Sequence, residues 1–186
     1  MNRVAGFTLI EMLVVLVVLG IGISLAVPSF QGMLARNRIA TQTNDLLLAI
    51  SLARSEASRR GSVVSLQAVS PVVNDEFGGG YCVVPGNPGD CNGGNVIREF
   101  LSLSGDTTLA SIDDAANNGS WAAPRNSIQF DSFGALSGTS DNGRYLDLCH
   151  EGERGSRIHI SLIGRAKVWR AALGAVQQPI IQPTSC

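Results

Sequence analysis

The sequence predicts an α+β protein in which one long N-terminal helix precedes a domain of short antiparallel strands. Residues 7–27 form an unbroken apolar run whose only charge is Glu11. Residues 39–57 carry a stripe at helical spacing, and after Gly61 the texture changes to β-prone runs separated by Gly, Asn, Asp and Pro. With 186 residues, 45% of them apolar, and a mean hydropathy of +0.18, this is a folded chain. Disorder, a collagen-like helix and a large multidomain enzyme are excluded.

The net charge of −1 conceals a segregation: +3 over residues 1–70, −9 over 71–153 and +5 over 154–186. The chain therefore reads basic, acidic, basic. Thirteen of its fourteen cations are Arg, and the exception is Lys167.

The first element spans Phe7 to Val27, and 21 helical residues at about 1.5 Å each cover about 32 Å, the depth of a bilayer core. In a secretory signal a small-residue cleavage site follows the apolar region. Here Gly6 precedes it, behind a leader of six residues, so a cut after Gly6 leaves the apolar segment on the mature chain. Glu11 is costly inside such a segment and marks a functional-site hypothesis. It either snorkels to the interface or pairs with a positive group, such as the amino terminus that cleavage would create on Phe7.

Gly6-Phe7-Thr8-Leu9-Ile10-Glu11, followed by Met12-Leu13-Val14-Val15-Leu16-Val17-Val18-Leu19-Gly20, resembles the class III signal of type IV pilins and type II secretion pseudopilins. The resemblance implies cleavage after Gly6 by an inner-membrane prepilin peptidase and N-methylation of Phe7. It also implies contact between Glu11 and the amino terminus of an adjacent subunit during filament assembly. The expected segments are a leader (1–6), a transmembrane and filament-core helix (7–28), an amphipathic half (29–61) and a β-rich head (62–186). The subunit would sit in the bacterial inner membrane with its head in the periplasm before joining a fibre.

Gly20, Gly22 and Pro28 interrupt the same helix, and at about 1 kcal/mol per glycine and about 3 for proline this is where it should bend or unwind. The pilin resemblance implies local melting here, and a simple kink is equally compatible. Past Pro28, Ile39, Thr43, Leu46, Ile50, Ala53 and Ala57 fall three and four apart on one helical stripe. Gly61 is the expected C-cap, and Arg59-Arg60 suit the negative end of the helix dipole.

Expected strands are Ser62–Val69, Tyr81–Val84, Val96–Leu103, Ser127–Phe133, Arg144–Cys149, Arg157–Ile163 and Ala166–Trp169. Turn-rich connections join them, notably 74–80, 86–95, 113–119 and 138–143. Within this half, Ala53-Arg54-Ser55-Glu56-Ala57 is similar to a helix end of the GspH/FimT group of minor pilins. The runs Ile128–Gly134 and Ile158–Val168 are similar to that group's strand motifs. The resemblance implies a pilin fold, with the long helix packed on an antiparallel head, and other major and minor pilins or pseudopilins as partners. The acidic stretches at 74–95 and around Asp113 have no counterpart in it.

Catalytic signatures are missing: there is no Walker A loop, GxSxG elbow or HExxH, and Gly78-Gly79-Gly80 does not complete GxGxxG. His150 and His159 are isolated strand histidines, and Asp113-Asp114 and Asp141-Asn142-Gly143 do not continue into an EF-hand. The expectation is no enzyme, metal or cofactor.

Cys82, Cys91, Cys149 and Cys186 lack CxxC spacing in a chain that should enter an oxidising compartment, so disulfides are expected. Of three pairings, Cys82–Cys91 and Cys149–Cys186 are preferred, the first closing a Gly/Pro/Asn loop and the second fastening the tail to a strand.

The basic C-terminal segment has two readings. Arg154, Arg157, Arg165, Lys167 and Arg170 lie together with Trp169, a mixture suited to nucleic acid. Gly164-Arg165-Ala166-Lys167 resembles the GRxR motif through which the FimT branch binds DNA, with Lys in place of the second Arg. That change keeps charge and loses bidentate geometry. The same Gly-Arg turn also resembles members that do not bind DNA, and the cations then complement the acidic middle section or a neighbouring subunit.

Overall fold

A computed structural model describes residues 8–86, 91–112, 126–138, 143–150 and 153–169. The chain divides into two units, 1–37 and 38–186, and helix α1 (Leu9–Arg60) begins in the first and ends in the second. Thr8 caps its start: its Oγ1 accepts the Glu11 N–H at 3.3 Å, and its carbonyl accepts the Met12 N–H at 3.2 Å. The helix continues through Gly20, Gly22 and Pro28. Isolated glycines and one proline weaken a helix without ending it when long runs of good formers lie on both sides.

At the other end, Gly61 adopts φ +62° and the Ser62 N–H returns to the Ala57 carbonyl at 3.3 Å, the Schellman closure expected of that glycine. Glu56 accepts from Arg59 at 2.6 Å and Arg60 at 2.8 Å. These charge-assisted bonds, Arg59's first, hold the Glu56 carboxyl at about 2. The two arginines thus complete an ion-pair cluster as well as facing the dipole.

The second unit adds nine strands among the described residues: β1 (Val64–Ala68), β2 (Tyr81–Pro85), β3 (Arg98–Phe100), β4 (Thr107–Ile112), β5 (Ser127–Phe130), β6 (Leu136–Ser137), β7 (Arg144–His150), β8 (Glu153–Ile160) and β9 (Ala166–Trp169). They form two sheets, ordered β3-β2-β1-β5-β6 and β4-β7-β8-β9, with every pairing antiparallel. Each of the seven expected strands is found with shifted ends, apart from Ala166–Trp169, whose limits agree. β4 and β6 were not expected. Val96–Leu103 shrinks to the three residues of β3, and Ser127–Phe133 ends early because Asp131–Ala135 is a turn.

One core joins α1 to both sheets. All six residues of the helical stripe are buried, and Leu46, Ala53 and Ala57 share one buried cluster with Leu66 and Ile128 of the first sheet and Leu146 and Ile158 of the second. The Cys82–Cys91 disulfide is present, its Cα atoms 5.7 Å apart, and it packs with Val84 and Val96 in a satellite cluster. Cys149 is also disulfide-bonded, whereas Cys186 lies outside the described residues.

Candidate functional site

The sequence directs attention to two places, the apolar half of α1 and the basic hairpin β8–β9. Along the first, every large apolar residue from Leu9 to Leu25 is exposed, and the most apolar 18-residue window has a mean hydropathy of 2.7. A soluble domain does not leave such a surface uncovered. Length and composition suit a bilayer span, and Ser24 satisfies its hydroxyl within the helix by donating to the Ile21 carbonyl at 2.8 Å. Glu11 sits in the first turn, where the helix dipole favours a carboxylate. Gly6 and Phe7 lie outside the described residues.

The hairpin is built differently from the expectation of a basic patch. Arg157 is only 1% exposed; its Nε and Nη2 donate to Asp147 Oδ1 and Oδ2 at 2.5 Å each across the β7–β8 pair. It is therefore a structural cation, and reading it with the surface charges is corrected. A buried pair of this kind survives only because both partners are present and bidentate. Tyr145 lies alongside, stacked on His159 at 4.5 Å, while the His150 ring shares a 3.2 Å hydrogen bond with Thr107 Oγ1.

Arg165 and Lys167 are exposed. Arg170, Cys186 and the side chains of Arg154 and Trp169 fall outside the described residues, as do Asp113-Asp114 and Asp141-Asn142.

Gly164 has a packing reason to be glycine. It takes φ +73° and closes its turn through the Ser161 carbonyl at 2.8 Å, and a Cβ there would collide with the Gly134 carbonyl oxygen. Arg54 Nε donates to that same oxygen at 3.2 Å, and the Leu136 N–H reaches the Leu162 carbonyl at 2.8 Å. The Gly-Arg turn is thus where the two sheets and the end of α1 are fastened together. A role in the fold accounts for its glycine without reference to DNA.

Sequence reasoning missed one further cluster. Asp75 Oδ1 accepts the Leu109 N–H at 2.7 Å, Glu76 Oε2 accepts the Ser111 N–H at 2.9 Å, and the Phe77 N–H meets the Leu109 carbonyl at 3.0 Å. The stretch 74–77, read as part of an acidic insertion, instead covers the outer edge of β4. Burial pushes the Asp75 carboxyl up, and the Leu109 N–H partly offsets this.

Residues 42–164 match the model of the family described as type II transport protein GspH, and residues 1–27 match the prokaryotic N-terminal methylation motif. Among solved structures, the type IV minor pilin FimU of Pseudomonas aeruginosa strain PAO1 aligns in two crystal forms. The first shows 20% identity over 73% of this chain and 90% of that one, with a TM-score of 0.56. The second gives 20% identity, 70% and 92% coverage, and 0.52. The minor pseudopilin EpsH from the type II secretion system of Vibrio cholerae aligns at 12% identity over 75% of this chain and 98% of that one, with a TM-score of 0.47. No curated protein sequence matches.

An exposed apolar helix bearing the methylation motif, joined to a head of this fold, has the pilin architecture. The head narrows the assignment, because a single family model covers more than half of the chain. The chain belongs to the type II transport protein GspH family.

Proposed function

We propose that this chain is a minor subunit of a type IV pilus, entering or initiating the fibre through its N-terminal helix. Prepilin peptidase cleaves after Gly6, Phe7 becomes N-methylated, and residues 7–28 hold the subunit in the inner membrane with its head in the periplasm until assembly. Glu11 then pairs with the amino terminus of a neighbouring subunit, and the segment containing Gly20, Gly22 and Pro28 yields as helices pack. The observation that carries this reading is the run of exposed apolar residues from Leu9 to Leu25 with one carboxylate in its first turn. The second disulfide joins Cys149 to Cys186 and fastens the tail to β7. In the chain-entropy account such a loop contributes roughly 3–4 kcal/mol.

The family description favours a second reading, the H-type minor pseudopilin of a type II secretion system. Deleting the gene separates the two: loss of surface pili with normal export of secreted enzymes supports the pilus. Normal piliation with blocked export assigns the chain to secretion.

A DNA-binding role retains Arg165, Lys167 and Arg170 as its cations and loses Arg157 to the buried pair with Asp147. With three phosphates neutralised, log K would fall against log salt with a slope of about −2.7. Binding without salt dependence at low ionic strength removes this role.

A further inference from the structure

The second sheet turns one face to the core and one away from it. Leu109, Leu146, Leu148, Ile158 and Ile160 belong to the core cluster that includes α1. Side chains alternate along each strand, so the pairings Thr108–Cys149, Asp147–Arg157 and His159–Lys167 place these six residues on the opposite, outer face.

That outer face is dry at its centre. Asp147 and Arg157 are 0% and 1% exposed and Cys149 is 8% exposed, whereas Thr108 and Lys167 on the two edge strands are open to solvent and His159 is half-buried. A charged pair on the open side of a sheet keeps contact with water unless something lies over it. Among the described residues the extensive contacts of these strands outside the core are with strands of the same sheet.

The pattern of burial traces a path. Trp169, where β9 ends, stands opposite Arg157, which stands opposite Asp147, and Cys149 follows two residues further along β7. Cys149 is disulfide-bonded, and with Cys82 joined to Cys91 its partner within the chain is Cys186. Segment 170–186 therefore starts beside Arg157 and is fastened beside Asp147, and the dry residues are those between its two anchors.

Length and composition agree with that path. Two strand spacings separate Trp169 from Asp147, about 10 Å, and 17 extended residues reach about 55 Å, so the segment has chain to spare for lying over the face. Arg170 is its one charged side chain, and Leu173, Val176, Ile180 and Ile181 are apolar. Segments 113–125 and 139–142 instead reach this sheet at Ile112 and Gly143, the opposite end from Cys149.

We infer that residues 170–186 fold back across the outer face of the second sheet as a strap, closed by the Cys149–Cys186 disulfide, and seal the Asp147–Arg157 pair from water. The inference rests on the Cys149–Cys186 pairing of the proposed function and adds what that bond holds in place. With the strap closed, Arg157 contributes nothing to the surface of the head, and Arg165 and Lys167 remain exposed. With it open, water reaches the pair and weakens its attraction.

The test uses the detergent-solubilised full chain. Peptide mapping without reduction should find Cys186 linked to Cys149, and a Cys186 that is free or joined elsewhere overturns the pairing and the strap with it. A carbodiimide with an amine nucleophile then labels carboxylates according to their access to water. Asp147 should stay unlabelled in the native chain, and removing residues 170–186 should raise its labelling at least fivefold while Glu76, buried at the β4 edge, is unchanged. Separately, a photoreactive amino acid at Ile180 in the otherwise native chain should cross-link within the chain to residues 145–149 or 156–159.

With the Cys149–Cys186 link present, the strap alone is overturned by either of two results. One is Asp147 labelling that removal of 170–186 leaves unchanged, which assigns the cover to another segment such as 113–125. The other is an Ile180 probe that gives no product or products confined to α1, to the first sheet or to another molecule. If Glu76 becomes labelled together with Asp147, the shortened head has come apart and the Ile180 products decide alone.

Discussion

Helix α1 contains two stretches of similar length and opposite circumstance. Between Ile39 and Ala57 the apolar residues form one stripe, and that stripe is buried by strands of the same chain. From Leu9 to Leu25 they cover the whole circumference and remain exposed, Leu16 at 66% and Leu25 at 72%. A one-sided stripe is satisfied by one packed domain, whereas an all-round apolar surface needs an apolar medium on every side, supplied by lipid or by neighbouring helices. The helix is thus one element with two kinds of surface, and among the described residues only one of them is covered.

Equivalent truncations in the two stretches sharpen that contrast most. Leu46→Ala should destabilise the head by about 2–5 kcal/mol, whereas Leu13→Ala should leave its stability unchanged. Denaturant unfolding of the detergent-solubilised full chain measures both, and equal losses would erase the distinction.

A smaller effect concerns the fastening at the end of the buried half. Gly164→Ala puts a Cβ into the Gly134 carbonyl at a positive φ, and should cost on the order of 1–3 kcal/mol. Unfolding curves check the loss, and an unperturbed head would show that the two turns do not hold the sheets to the helix.

The smallest effect is pH-dependent and lies at the exposed end of the buried half. Glu56 has its folded pKa lowered from 4.5 to about 2 by Arg59 and Arg60. A depressed carboxyl contributes stability that is present above its unfolded pKa and is lost as pH falls through its folded pKa. The stability difference between the native chain and Glu56→Gln should therefore be visible at neutral pH and fade between about 4.5 and 2. A difference that does not change with pH would mean that the carboxylate charge contributes nothing there.

Local signals made much of this legible before any coordinates. The apolar run, Glu11, the stripe from Ile39 to Ala57 and the Gly61 cap are patterns within a few turns of chain, and the stripe is buried throughout. What escaped depends on distant partners. Thr107–Ile112 is diluted by Ala110 and Ser111 and gains its strand character from pairing with β7. Asp75 and Glu76 look like turn residues until β4 is placed beside them.

Arg157 looked like one cation among five, because the register that sets it opposite Asp147 is a property of the β7–β8 hairpin. An acid within the otherwise apolar run Leu146–Leu148 was the available signal, since a buried carboxylate needs a cation on the next strand. The sheet order, with β1 between β2 and β5, has no local signature at all.

In the proposed function the exposed half of α1 carries the subunit into a fibre through Glu11. Glu11→Ala tests it most directly, by quantifying the chain in the inner-membrane fraction and in sheared fibres of the same cells. The predicted result is a normal amount in the membrane and none in the fibres. Incorporation into fibres at the native level would contradict the claim.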